Sequence, residues 1–172
     1  MLISRKVNDA LIVQIGNEFG ASLQYVAIAS HFDSESLPEL AAHFYRQAEE
    51  ERAHAMRIVK YVIDAGGRVE IPAIASPCSR FDNTTDAVKT AFDSEMTVTG
   101  QINELMNLAF EEKDHITQNF LQWFVTEQLE EVSSMDTLLK IVQRAGDDLL
   151  HVEEYLARRR PLTAAAEPTP AA

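Results

Sequence analysis

The sequence predicts an all-α protein: a four-helix bundle with a long crossover between helices two and three, plus a short fifth C-terminal helix. Three observations lead there. Apolar residues recur at intervals of three and four, as in Leu11, Ile15, Phe19, Leu23 and Val26, in Leu40, Phe44 and Ala48, in Met106 and Phe110, and in Phe120 and Phe124. That is the period of a helix face, and only the brief RVEIP at 68–72 alternates as a strand would. Glycine and proline are scarce, six of each in 172 residues, and most mark breaks; Gly16, Gly20 and Gly100 fall inside helical patterns and weaken them locally. The third observation is the connector 66–83. Its eighteen residues can stretch about 59 Å at ~3.3 Å each, enough to run the length of a bundle.

Taken in order, the first helix runs over about 4–32 and ends in the break HFDSES at 31–36. Ser36-Leu37-Pro38-Glu39 reads as a capping box with proline in the first turn, opening a second helix over 37–65. Gly66-Gly67 closes it, and the connector follows with Pro72 and Pro77. Asn83-Thr84-Thr85-Asp86 opens the third helix, 84–112, and Asp114 caps the fourth, 115–145, which Gly146 ends. Asp147 then caps a short stretch to about Arg160, and the Ala/Pro-rich 161–172 reads as a disordered tail. Each long helix measures about 42–47 Å at 1.5 Å per residue. Short turns make antiparallel neighbours, whereas the crossover lets the third helix start where the second started.

The formal net charge is −12, which argues against nucleic-acid or anionic-membrane partners and suits cations. A single cysteine, Cys78, allows no intrachain disulfide and is expected to be a bystander on the crossover. No secretory leader and no run of 18 apolar residues is visible, so a cytoplasmic location is expected.

The chemistry lies in a repeat. Glu51 and His54 stand at i and i+3 and project from one helix face. Glu18 lies 33 residues before Glu51 and 36 before His54; Glu95 lies 33 before Gln128 and 36 before Glu131. The halves Glu18…Glu51-x-x-His54 and Glu95…Gln128-x-x-Glu131 therefore share one frame at an offset of 77, and Glu50 and Glu127 match at it too. All sit near mid-helix, so they meet at one level of the bundle. Ionised carboxylates packed there repel unless cations join them or their pKa values rise. Glutamates from two helices with Glu-x-x-His type pairs on the others form the di-iron carboxylate pattern, and an oxygen-rich set with one nitrogen suits iron. Glu49 and Arg52 read as surface residues.

These residues, with NEF-x-x-x-x-QYVAIA (17–29) and QWFVTEQLEE (122–131), resemble the ferritin family, specifically the non-haem bacterial ferritins, over about 5–160. The resemblance implies a ferritin-like di-iron domain over 1–160. In it Glu18, Glu51 and His54 would bind a first iron, Glu51 would bridge, and Glu95 and Glu131 would bind a second. Gln128 would hydrogen-bond near bound dioxygen, and Tyr25 would sit beside the pair, able to supply an electron. Glu50, Glu127 and Glu130 match a third iron site. Position 52 is arginine rather than a haem-ligating methionine, and the second half-motif ends in glutamate, so no haem is expected.

The function implied is iron storage by a ferroxidase, an Fe(II):oxygen oxidoreductase, in a homo-oligomeric 24-subunit cage holding ferric oxyhydroxide mineral. The rival reading is a small di-iron or dimanganese redox enzyme, an oxygenase or peroxidase acting on a soluble substrate. Trp123 reads as a packing residue, and Glu111, Glu112 and Asp114 as a candidate pore lining.

Overall fold

A computed structural model of the chain describes residues 2–159. It contains five helices: α1 (Arg5–Ser34), α2 (Pro38–Asp64), α3 (Thr84–Glu111), α4 (His115–Ala145) and α5 (Leu150–Arg159). No strand occurs among the described residues, and RVEIP has no regular secondary structure. The expected tail at 161–172 lies outside them. α1 packs chiefly on α2 and α3 on α4, α1 also meets α3, and α5 lies against α2 and α4. The all-α bundle, its crossover and the short last helix are as the sequence predicts.

The two hairpin turns are copies of each other. Glu35 N donates to His31 O, Ser36 N to Asp33 O and Leu37 N to Phe32 O; Glu112 N, Lys113 N and Asp114 N donate to Leu108 O, Phe110 O and Ala109 O. Every pair is offset by 77, as in the carboxylate frame. Ser36 (φ 60°) and Lys113 (φ 54°) take the left-handed conformation that reverses the chain.

The caps differ. Asn83 and Asp114 accept from Asp86 N (2.9 Å) and Thr117 N (3.0 Å), as expected. The capping box at Ser36 does not form: Ser36 is spent on the turn, Leu37 occupies the N-cap position, and α1 runs on to Ser34. Glu153 of α5 replaces it, its carboxylate accepting from Glu39 N (2.8 Å) and Leu40 N (2.9 Å). α5 itself begins at Leu150.

The crossover is strapped along α1. Asn8 clasps Arg68 through both backbone groups (3.2 and 3.3 Å), and Gln24 clasps Cys78 in the same way (2.8 Å each). Between the clasps Pro72 presses on Gly16, where a Cβ would meet the ring at 2.6 Å. A glycine that weakens the helix locally thus provides the seat for the strap.

The core falls into two apolar clusters. One holds Tyr25, Phe32, Leu40, Phe44, Val88, Met135 and Val142 and extends to Leu156 of α5; the other holds Leu11, Ile15, Ile58, Ile102, Leu121 and Phe124. Between them the inward positions are polar.

Candidate metal centre

The polar belt takes one or two residues from each long helix: Glu18 from α1, Glu51 and His54 from α2, Glu95 from α3, and Gln128 and Glu131 from α4. All six are buried, Glu18 and Glu95 to 1% exposure. Each lies on its helix's apolar stripe, where the 3.6-residue period that buries Leu11 and Ile15 also turns Glu18 inward.

Glu18, Glu51 and His54 offer ligand atoms within 4.8 Å of one another, as do His54, Glu127 and Glu131. His54 Nδ1 lies 3.2 Å from Glu51 Oε2, and its ring stands edge-on to Trp123 and Phe124 at centroid distances of 5.4 and 5.9 Å. In the second half, the Tyr25 hydroxyl donates to Glu95 Oε1. Gln128 Nε2 faces Glu95 Oε2 (3.2 Å), Glu95 O (3.2 Å) and Thr99 Oγ1 (3.1 Å).

Sequence reasoning missed Gln14 and Thr99. Gln14 is buried and donates to Glu18 Oε1 at 2.9 Å. The available signal was a glutamine four residues before Glu18, hence on the same face. Thr99, four after Glu95, is visible in the same way.

Burial dominates the electrostatics. It raises Glu18 to about 8, with the Glu51 charge adding to it, and raises Glu131 to about 8, with Glu95 adding. Desolvation also leads in lifting Glu51 well above the carboxylate range and Glu95 above it. Tyr25, buried beside Glu95, is held well above the usual phenol value. Glu18 Oε2 is a buried oxygen with no partner. A hard, oxygen-rich donor set with one imidazole, closely spaced and lacking positive charge, fits iron.

At the margin, Glu50 stands exposed on α2, gripped by Gln47, and partial burial raises its pKa. Glu127 is half-buried within the second cluster. Glu130 is exposed and lines a groove beside His43 and Arg46. Trp123 carries the Arg57 guanidinium on its face at 3.9 Å. In the acidic stretch, Lys6 lies 3.5 Å from Glu111 and 3.8 Å from Glu112. Cys78 is exposed.

Carboxylates from four helices and one imidazole, at mid-height of a bundle with a long crossover, define the class of ferritin-like metal-binding proteins. The chain belongs to the ferritin family: the family model described as a ferritin-like domain matches residues 8–145. It is 50% identical over 156 residues to Ferritin BfrB of Mycolicibacterium smegmatis, spanning 91% of this chain and 86% of that one. It is 35% identical over 147 residues to the bacterial non-heme ferritin of Staphylococcus aureus, spanning 86% and 89%. Among solved structures, an open pore ferritin from the archaeon Archaeoglobus fulgidus matches with a TM-score of 0.87 and 35% identity, over 91% of this chain and 96% of that one. Family membership implies iron storage and does not favour the soluble-substrate redox enzyme. Among the described residues no helix is long and apolar enough to cross a membrane.

Proposed function

We infer that this chain is the subunit of an iron-storing cage that oxidises Fe(II) with dioxygen at an intrasubunit pair of sites and keeps Fe(III) inside as ferric oxyhydroxide. The observation that carries the reading is the buried belt, with the unpartnered Glu18 Oε2 among carboxyls whose pKa values burial has raised. Fe(II) is the substrate, and each ion gives one electron to dioxygen. Glu18, Glu51 and His54 hold one ion, Glu51 also reaches toward the second, and Glu95 and Glu131 complete that second position.

The chain's own work is to hold protons and orientation. Carboxyls that rest protonated release their protons as the cations arrive, so uptake and proton release are coupled. Tyr25 keeps its proton and fixes Glu95 Oε1, while Gln128 fixes Oε2. Tyr25 is placed to supply an electron, and when it does its hydroxyl proton passes to Glu95 Oε1, the acceptor it already faces. Glu50 and Glu127, with Glu130 further out, form an outer acidic step for ions leaving the pair. Exposed Leu23, Val26, Tyr45, Phe110 and Leu129 support burial of outer faces against other copies in a 24-subunit shell. We also infer a cytoplasmic setting without haem.

The test is anaerobic loading with Fe(II), then admission of air while ultraviolet absorbance is followed, on wild type and the Glu51→Ala/His54→Ala double variant, each sized by gel filtration. Fast oxidation that collapses in the variant, in a large particle retaining many irons per subunit, is expected. A small protein stopping at two irons would point to the soluble redox enzyme instead, and oxidation no faster than in buffer would sink both.

A further inference from the structure

Between α1 and α3 runs an open groove of about 660 Å³. Glu104 and Glu111 stand on its walls; Lys6 pairs with Glu111 at 3.5 Å, whereas Glu104 forms no ion pair among the described residues. At its floor lies Gln14, only 2% exposed. Gln14 Nε2 donates to Glu18 Oε1 at 2.9 Å and, across the α1–α3 seam, to Gln101 Oε1 at 3.4 Å; Asn17 Nδ2 donates to Gln14 Oε1 at 3.1 Å. Beyond this amide lies Glu18 Oε2, buried and without a partner. Above it, a Cβ built on Gly100 meets no atom within 4 Å, so the mouth is open there.

We propose that this groove is the route by which hydrated Fe(II) reaches the Glu18 side of the centre, with the Gln14–Gln101 amide pair as its gate and Gln14 as a positioning residue for Glu18. The proposal rests on the ferroxidase reading above. Lys6 offsets Glu111 at the groove's end, but among the described residues no cation pairs with Glu104 beside Gln101, and that uncompensated carboxylate draws a divalent cation rather than an anion. The amide oxygens of Asn17 and Gln101 are neutral hard donors, able to replace water without trapping the ion as a carboxylate would. Of the bonds closing the floor, the 3.4 Å contact to Gln101 is the longest and yields first. Its opening leaves Gln14 still holding Glu18, so the ligand stays oriented while the passage clears.

The test is anaerobic stopped-flow binding of Co(II), a redox-inert stand-in, followed by its visible absorbance, on wild-type, Gly100→Leu and Gln101→Ala assemblies sized beforehand. Leucine suits a helix better than glycine and extends into vacant space, so Gly100→Leu keeps the fold. It should slow binding by about tenfold with unchanged stoichiometry and affinity, as a plug in a passage does. Gln101→Ala should bind at least as fast as wild type. Wild-type rates in Gly100→Leu, a lowered affinity in place of a slower approach, or slower binding in Gln101→Ala would each overturn the proposal. If Gly100→Leu takes up Co(II) normally yet oxidises pre-bound Fe(II) more slowly in air, the groove admits dioxygen and the proposal falls while the ferroxidase reading stands. If wild type itself takes up no Co(II), the ferroxidase reading fails first.

Discussion

The α1–α2 and α3–α4 hairpins are one design built twice, with the same turn, the same hydrogen bonds and the same mid-helix glutamates at an offset of 77. What differs is how each half treats its carboxylate. Glu95 in the second half is fully clothed, with the Tyr25 hydroxyl on one oxygen and Gln128 on the other. Glu18 in the first half has Gln14 on one oxygen, no N–H or hydroxyl donor on the other, and a second carboxyl, Glu51, as its neighbour. A satisfied carboxylate is a stable structural element, whereas an unsatisfied buried one is a standing cost that a cation relieves. The first half is therefore the hungrier for metal, and the second the better organised to hold a ligand still.

The same substitution in the two halves should separate these roles most sharply. Glu18→Gln and Glu95→Gln should each weaken Fe(II) binding anaerobically by about 100-fold or more. In the metal-free protein at pH 8.5 their thermal midpoints should move in opposite directions. Glu18→Gln removes a desolvated charge and should raise Tm by roughly 3–6 °C. Glu95→Gln faces two donors with an amide that has one oxygen, and should lower Tm. Equal shifts measured by calorimetry would erase the distinction.

The next effect is on pH. Glu18 and Glu131 are raised in the fold, to about 8 each, so the native state binds protons that the unfolded chain releases. Their stabilising contribution is complete below the unfolded value near 4.5 and is lost as pH rises through about 8. The Tm of the metal-free protein should fall between about pH 5 and pH 8 and flatten in Glu18→Gln/Glu131→Gln. Bound metal should flatten it as well, since ligands held as carboxylates no longer titrate.

Smaller effects test the clothing itself. Tyr25→Phe should leave Fe(II) affinity within about threefold and slow oxidation about tenfold, as loss of an orienting partner does. Glu130→Ala should change the first oxidation by less than about twofold, because its side chain is exposed on another groove. A large effect there would mean that metal binding reorganises α4.

Helix number, the crossover and the ligand frame are legible in the amino-acid sequence. They follow from period and spacing, because a mid-helix position four turns from each end has little choice of height. The faces are less legible. Leu23, Val26 and Phe110 share the apolar period yet are exposed in the subunit, since periodicity marks an apolar stripe without saying whether the partner is this chain or another copy. Glu130 stands three residues after Glu127, a spacing that allows a shared face, yet it is exposed where Glu127 is half-buried, so spacing alone does not tell how far a glutamate turns from the bundle. The cap from Glu153 is illegible because it spans 113–114 residues, and no local pattern encodes it.

The strap on α1 sets a tolerance for changes in chain length. Its clasps at Asn8 and Gln24 are sixteen helical residues apart, about 24 Å along the axis. Ten residues, from Arg68 to Cys78, cover that span at about 2.4 Å each, well short of the ~3.3 Å an extended chain allows. About seven or eight would reach. The crossover therefore carries slack of about two residues, and insertions there bulge outward without shifting α3, whereas one residue added inside any long helix would turn its glutamate by about 100° and lift it about 1.5 Å out of the belt. Length variation is free in the strap and forbidden beneath it.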